Sequence, residues 1–537
     1  MRPERPGEAR TALAIALVAT AFLFTGLSRY GVVNADEAIY HAIAERMLET
    51  GDLLHLDFRG EPRVYDAFLN APLHYWARAA LIAGFGSNAF TMRALSAGFG
   101  VVSVLVTWAL ALRLAGPRAA ALAAAVQLTS FQFVYLHGAR TGELDTLVTC
   151  LLAASALLLF RALDEQRSFL PHHLTVAALF LTKAPLAIVP VTASLVLLSL
   201  RAETRRRLPG YLRTGAALLP LALAWHATQL VLHADRAGDV LNAMLAQASG
   251  GDRDVEALGV VGNARYYAGV LLYGAFPWSM LYPFALVRAL RSDPIAAGLR
   301  RGLAFATALL AFFLLVSKHY AWYAMPALPF LSVAVGVWLA ELASRGAGRL
   351  AAFGAGVALA SLLWADVDIF GTNPFGARAL GFPMQLGWRS PAGVPALAAL
   401  PLAGLAGLGL RALLRRSGRP AARLAGGAAV ALLLATASLR NLAPFAYLDT
   451  RAPIEDTRRA LERAHREGRP IDYPVRLRRP VVQIARFHFA DEFEIVPEYA
   501  PGGTDLLLYP KGDPQVLARS IGREGLRRRL RDARDRP

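Results

Sequence analysis

Two kinds of charged residue stand apart from the rest of this chain. Asp36 and Glu37 are adjacent carboxylates that follow closely on the first apolar run, residues 11–27. Paired carboxylates beside such a run are costly unless solvated or used, and one held at a bilayer boundary can act as a general base toward a lipid-linked substrate. The competing role for Asp36 is a helix N-cap: it follows Asn34 and opens a helical pattern that runs through Leu48 and stops at Gly51. The second kind is lysine. The chain uses arginine almost everywhere and has lysine only at Lys183, Lys318 and Lys511. The first two fall at ends of apolar runs, where a compact ammonium suits a phosphate as a point charge. Either alone could instead snorkel to the interface, but the two together, on the face opposite the arginine-rich links, point to an anion site.

Other polar residues gather near these. Tyr40 lies one helical turn beyond Asp36, and Asn70 precedes Ala71, Pro72, Leu73, His74, Tyr75 and Trp76, which open an apolar stretch too short to span a bilayer. Its tyrosine and tryptophan suit an interfacial helix. Arg140, Glu143 and Asp145 follow the third apolar run, and His319, Tyr320 and Tyr323 follow Lys318.

The elements that must position these residues are membrane helices. The chain has 537 residues, 55% hydrophobic, with a mean hydropathy of +0.39. Apolar runs of about 20 residues recur along most of it, which excludes a water-soluble enzyme. The 57 Lys and Arg against 39 Asp and Glu leave a formal charge of +18, but the arginines sit between apolar runs and not on one soluble face, so nucleic acid is not the expected partner. One cysteine, Cys150, excludes an internal disulfide and a cysteine-cluster metal site. No Walker loop, GxGxxG after a strand, or HExxH is present.

Arg2, Arg5 and Arg10 before the first run place the N-terminus in the cytoplasm, with residues 30–90 as the first external loop. Later runs fall at 91–112, 118–136, 144–160, 172–200, 210–232, 267–287, 303–316, 321–339, 350–364, 394–410 and 422–439. The 172–200 run has Arg161 and Arg167 on one side and Arg201, Arg205, Arg206 and Arg207 on the other, so both flanks belong on one face. One crossing cannot satisfy that. Thr182, Lys183, Ala184 and Pro185 fall near its middle, and proline there suits two short helices meeting at a turn, with Lys183 on the outer side. This gives about 13 spans and an external C-terminus. Residues 441–537 are polar, with an amphipathic stretch at 454–466, β-like runs at 481–484 and 505–509, and a basic helix at 519–534. The expected fold is therefore an all-α polytopic membrane domain over residues 1–440 and a small periplasmic α/β domain over 441–537.

The segments DEAIYHAIAERMLETGD (36–52), APLHYW (71–76), RTGELDTL (140–147), LTKAPLAIVP (181–190), FPW (276–278) and SKHYAWYAMPALP (317–329) resemble, in order, those of the GT-C membrane glycosyltransferases. The branch is the bacterial one containing the lipid A aminoarabinose transferases and the dolichyl-phosphate-mannose-protein mannosyltransferase-like proteins. The resemblance implies thirteen spans with a small external domain, in the bacterial inner membrane, and transfer of a sugar from a polyprenyl phosphate carrier to a lipid, glycan or protein acceptor. It implies catalytic roles for Asp36 and Glu37, and carrier-phosphate contacts for Lys183, Lys318 and Arg140. Tyr40, Asn70, His74, Tyr75, Asp145, Tyr320 and Tyr323 complete the expected substrate-binding set. The branch carries a lysine where this chain has Asn70.

The expected chemistry is an inverting transfer, metal-independent or weakly metal-assisted. Carboxylates and phosphate suit a hard divalent cation, which Asp36 or Glu37 would hold, although the sequence offers no dedicated cage. The rival from another class is a transporter or flippase of a lipid-linked sugar, which would place charges near the midplane between repeated halves with matching broken helices. A single break and no repeat are visible in this sequence.

Overall fold

A computed structural model describes residues 6–28, 32, 35–58, 61–62, 64–135, 137–239, 241–242, 258–316 and 319–344, and strand segments 367–368, 385–386, 475–477, 493–500 and 503–510. Lys318, the apolar runs at 350–364, 394–410 and 422–439, and the tail segments at 454–466, 481–484 and 519–534 lie outside the described residues.

The described chain is predominantly helical. Its helices are α1 (Pro6–Phe24), α2 (Ala35–Thr50), α3 (Val64–Leu69), α4 (Leu73–Phe85), α5 (Ala89–Ala115), α6 (Pro117–Leu128), α7 (Phe131–Tyr135), α8 (Asp145–Asp164), α9 (Leu170–Phe180), α10 (Ile188–Ser199), α11 (Ala202–Arg205), α12 (Leu208–Leu232), α13 (Gly259–Gly274), α14 (Tyr282–Ala289), α15 (Pro294–Leu315) and α16 (Leu328–Ser344). Six described helical stretches are long and apolar enough to cross a bilayer: α1, α5, α8, α12, α15, and 321–344, which joins a 3₁₀ turn to α16. Helix α8 is central, with 78% of its apolar window buried, whereas α1 and α12 bury only 11% and present apolar side chains such as Leu13, Leu17 and Val231 outward. That outward apolar surface suits lipid.

Small residues let the central helices approach closely. A Cβ on Gly336 of α16 would lie 2.6 Å from the Ala123 amide nitrogen of α6, and one on Gly100 of α5 would lie 2.6 Å from the Ala139 Cβ. Such small-residue contacts replace the hydrophobic drive that lipid removes.

The parity reading of residues 172–200 is borne out in its geometry. Helices α9 and α10 are separated by a turn and a short 3₁₀ segment, Ala184–Ala187, and Arg207 after α10 donates to the Arg167 carbonyl before α9 at 2.5 Å. Both flanks of the pair therefore meet at one end. Two other runs expected to be continuous are broken. The 118–136 run divides into α6 and α7 at Thr129 and Ser130, and the 267–287 run divides around Phe276 and Pro277, whose peptide bond is cis. These breaks satisfy one another: Trp278 Nε1 donates to Thr129 Oγ1 at 2.8 Å, and Gln132 Nε2 donates to the Ala321 carbonyl at 2.7 Å, at the start of the 3₁₀ turn Ala321–Ala327. Backbone freed inside a bilayer needs such partners, which explains why the interruptions cluster.

The arginine-rich links gather at the other end. Arg113 pairs with Asp164 and Glu165, Arg301 reaches Asp164 at 2.9 Å, and Arg288 joins Asp293 and Glu341. In the tail, strands Val475–Leu477, Phe493–Ala500 and Gly503–Pro510 form an antiparallel sheet with the last strand central, so the expected β run at 505–509 lies within it.

Candidate active site

The first loop is anchored through buried arginines. Helix α2 starts at Ala35, so Asp36 lies within its first turn rather than capping it, and the helix ends at Gly51, whose φ of 71° favours glycine. Asp36 is half-buried, while Glu37 beside it is fully buried and takes the Arg93 Nε. Arg93 also donates from Nη1 to the Leu27 carbonyl at 3.0 Å, joining α2 to the end of the first span. Its own place is fixed by the capping box at Asn88 and Thr91, which starts α5 at Ala89, four residues before it.

Helix α4 turns His74, Tyr75, Arg78, Ala79 and Ile82 inward, which is one face of an amphipathic helix. Arg78 Nη1 donates to the Met92 carbonyl at 2.6 Å and Nη2 to the Gly142 carbonyl. Burial lowers its pKa to about 10 against the opposing pull of Glu37 and Glu143, so it stays cationic at neutral pH. Gly142 must be glycine for this packing, because a Cβ there would lie 2.6 Å from Glu37 Cγ and 2.8 Å from the Met92 carbonyl.

The second group surrounds the start of α8. Lys183, at the turn between α9 and α10, donates from Nζ to Asp145 Oδ1 at 2.9 Å and sits 5.0 Å from the centre of the Tyr323 ring. The other carboxylate oxygen, Oδ2, lies 3.3 Å from His137 Nδ1. The His137 ring stacks on Trp322 at 3.6 Å and 5°, and Trp322 stacks on Tyr320 at 4.5 Å and 8°. Burial lowers the His137 pKa, but Glu143, the Asp145 hydrogen bond and the charge of Asp36 outweigh it and raise the group above its ordinary value. Asp36 is thus one of the charges to which His137 responds.

Tyr40 packs edge-on against His74 at 4.9 Å and Tyr75 at 5.6 Å, and Asn70 Nδ2 lies 3.5 Å from the Tyr40 hydroxyl. The Leu73 amide donates to the Leu181 carbonyl at 3.0 Å, which ties this aromatic cluster to the Lys183 turn. Helix α12 braces the loop from its far side, with Trp225 donating to the Ala67 carbonyl at 2.7 Å and Gln229 to the Leu54 carbonyl at 2.8 Å.

Two expected site residues are turned to other work. Glu37 is locked against Arg93, and Arg140, 1% exposed, directs Nη1 to the Phe22 carbonyl and Nη2 to the Thr25 carbonyl at 2.6 Å. Those carbonyls end α1, and a cation there answers the helix dipole. Among the described residues, no group of three or more His, Cys, Asp or Glu is placed to hold a metal ion. His137, Trp322, Arg78 and Arg93 are not among the residues expected at the site from sequence. The two arginines carried a usable signal: each lies near the end of the chain's first spans that the arginine-rich links avoid, so each demanded a partner.

Residues 70–226 match the family model described as dolichyl-phosphate-mannose-protein mannosyltransferase. An undecaprenyl phosphate-alpha-4-amino-4-deoxy-L-arabinose arabinosyl transferase of Pseudomonas paraeruginosa is 30% identical over 384 residues, 66% of each chain. The chain belongs to the GT-C membrane glycosyltransferases. An uncharacterized protein of Aquifex aeolicus is 26% identical over 318 residues, covering 58% of this chain and 60% of that one. The chain thus spans about three fifths to two thirds of these relatives' lengths. The fold of ArnT from Cupriavidus metallidurans, a structure bound to undecaprenyl phosphate, matches over 96% of this chain and 88% of that one, at a TM-score of 0.60 and 18% identity.

Proposed function

We propose that this GT-C protein moves a sugar from a polyprenyl phosphate carrier to a lipid, glycan or protein acceptor at the outer face of the bacterial inner membrane. The observation that carries the reading is the Asp145–Lys183 ion pair at the helix break, beside His137, a ring on which the charge of Asp36 also acts. Asp36 accepts the proton of the acceptor hydroxyl as its oxygen attacks the anomeric carbon and the bond to the carrier phosphate breaks. Lys183, with three donors and one used by Asp145, directs charge at the departing phosphate, and Lys318 adds a second cation. Tyr40, His74 and Tyr75 wall the first-loop side, while Tyr320 and Tyr323 wall the other. Glu37 and Arg140 serve as positioning residues, through Arg93 and through the end of α1.

In this reading the N-terminus is cytoplasmic, the arginine-rich end faces the cytoplasm, and the tail sheet belongs to a periplasmic domain over 441–537. A flippase is disfavoured because no internal repeat is visible in the sequence. The test is transfer in vesicles holding the purified protein, a polyprenyl-phosphate sugar and candidate acceptors, followed by mass spectrometry. Asp36→Asn should lower turnover by about 100- to 10,000-fold with folding retained, the range a positioned base supplies. Undiminished transfer by that variant removes Asp36 from the mechanism.

A further inference from the structure

Resting on the transferase reading above, we infer that His137 is a positioning residue: as an imidazolium it holds Asp145, and through it Lys183, and so sets the alkaline limit of turnover. Three observations converge on this ring. Its Nδ1 faces Asp145 Oδ2 while Lys183 occupies Oδ1, so the carboxylate is clamped between two donors. Its flat face lies on Trp322 in near-parallel stacking, a contact that favours a cationic ring over a neutral one. Its backbone is left-handed, at φ 51°, a conformation that side chains other than glycine adopt at a cost. Gly138 follows it directly, and a Cβ there would fall 2.4 Å from the Phe133 carbonyl, so the loop is packed tightly against α7 and cannot relax the strain by moving outward.

The charged groups that act on His137 are Asp36 from α2, Glu143 from its own loop and Asp145 from α8, with Lys183 of the α9–α10 turn on the other oxygen of Asp145, while the 3₁₀ turn Ala321–Ala327 presents the neutral Trp322 ring. Asp145 itself meets one ammonium, from Lys183, and the protonated ring is the group placed to give its other oxygen a second cationic partner. Losing that proton takes the positive charge off the ring and leaves Lys183 as the remaining cation paired with Asp145. The carboxylate then draws the ammonium more strongly, away from the phosphate it is proposed to meet.

The sign follows from the raised pKa. A group whose folded value exceeds its unfolded value, about 6.5 for imidazole, stabilises fully below the unfolded value, and that stabilisation is lost as pH rises through the folded one. Activity should follow the same course. His137→Phe keeps a stacking ring but neither the hydrogen bond nor the charge, and His137→Gln keeps an amide donor without titrating. We expect kcat about 10- to 100-fold lower in the Phe variant, the usual cost of an outer partner of a functional group, with the KM for acceptor unchanged. The alkaline limb of the wild-type profile should disappear in both variants. A limb that persists in both, or a Phe variant as active as wild type, overturns the inference.

Unfolding of the purified proteins gives a readout that does not depend on transfer. The gap between wild type and His137→Phe should be wider at about pH 6 than at about pH 9. An equal gap at both overturns the inference even where the transferase reading stands. If wild type transfers no sugar, that reading fails while the pH-dependent gap still tests the imidazolium.

Discussion

The two ends of the helical bundle use the same residue type for opposite purposes. At the end carrying the candidate site, Arg78 and Arg93 are 0% exposed and Arg140 is 1% exposed, and each guanidinium is directed at named backbone carbonyls, a carboxylate, or both. At the other end, Arg288 is also buried, against Asp293 and Glu341, but Arg113 and Arg301 are 29% and 27% exposed and reach the carboxylates of Asp164 and Glu165 at the surface. A buried guanidinium without its partner leaves a charge in low dielectric, whereas an exposed one is solvated and screened. Buried arginine therefore fixes geometry, while exposed arginine sets orientation across the bilayer and contributes little to a specific contact. Composition alone merges the two into one charge of +18.

That contrast can be broken by substitution. The largest structural effect should come from Arg93→Met, which removes the guanidinium paired with the buried Glu37 and should cost about 3–5 kcal/mol. Thermal unfolding in detergent measures it, and the double variant Arg93→Met with Glu37→Gln should recover much of the loss. If the single and double variants unfold alike, the pair is not what holds α2. A smaller cost, about 1–3 kcal/mol, is expected from Gly142→Ala, whose new Cβ must displace Glu37 or the Met92 carbonyl. Transfer should fall along with stability there, because the same displacement moves the first turn that carries Asp36. The smallest effect should be that of Arg113→Ala, which removes an exposed pair at the opposite end. Its unfolding midpoint and its transfer rate should match wild type, and a marked drop in either would mean that this end does more than orient the protein.

Much of the scaffold was legible from residue order. The α2 helix through Leu48 to Gly51, the short α4 helix and the broken α9–α10 pair all follow from periodicity, turn residues and flanking charge, which are local quantities. The breaks within 118–136 and 267–287 were not legible. Each apolar run is long enough to cross, and the partners that make the break tolerable, Thr129 for Trp278 and Ala321 for Gln132, lie 149 and 189 residues apart in sequence. The site divides the same way. Asp36, Lys183 and Asp145 stand out as charges next to apolar runs, but nothing local says that Lys183 and Asp145 touch, or that Glu37 faces inward while Asp36 remains half-exposed.

Residue order by itself thus determined that this chain lives in a membrane, which links between its helices are arginine-rich, and which few charges stand apart from them as candidates for chemistry. Those conclusions rest on transfer free energies and local periodicity, which each segment carries with it. Only the tertiary structure decided the partners. It assigned Glu37 to Arg93, Arg140 to the end of α1, and His137 to Asp145 and Trp322. The physical reason is that a buried charge takes its meaning from what lies within a few ångströms of it, and in a bundle of crossing helices those neighbours come from distant parts of the chain.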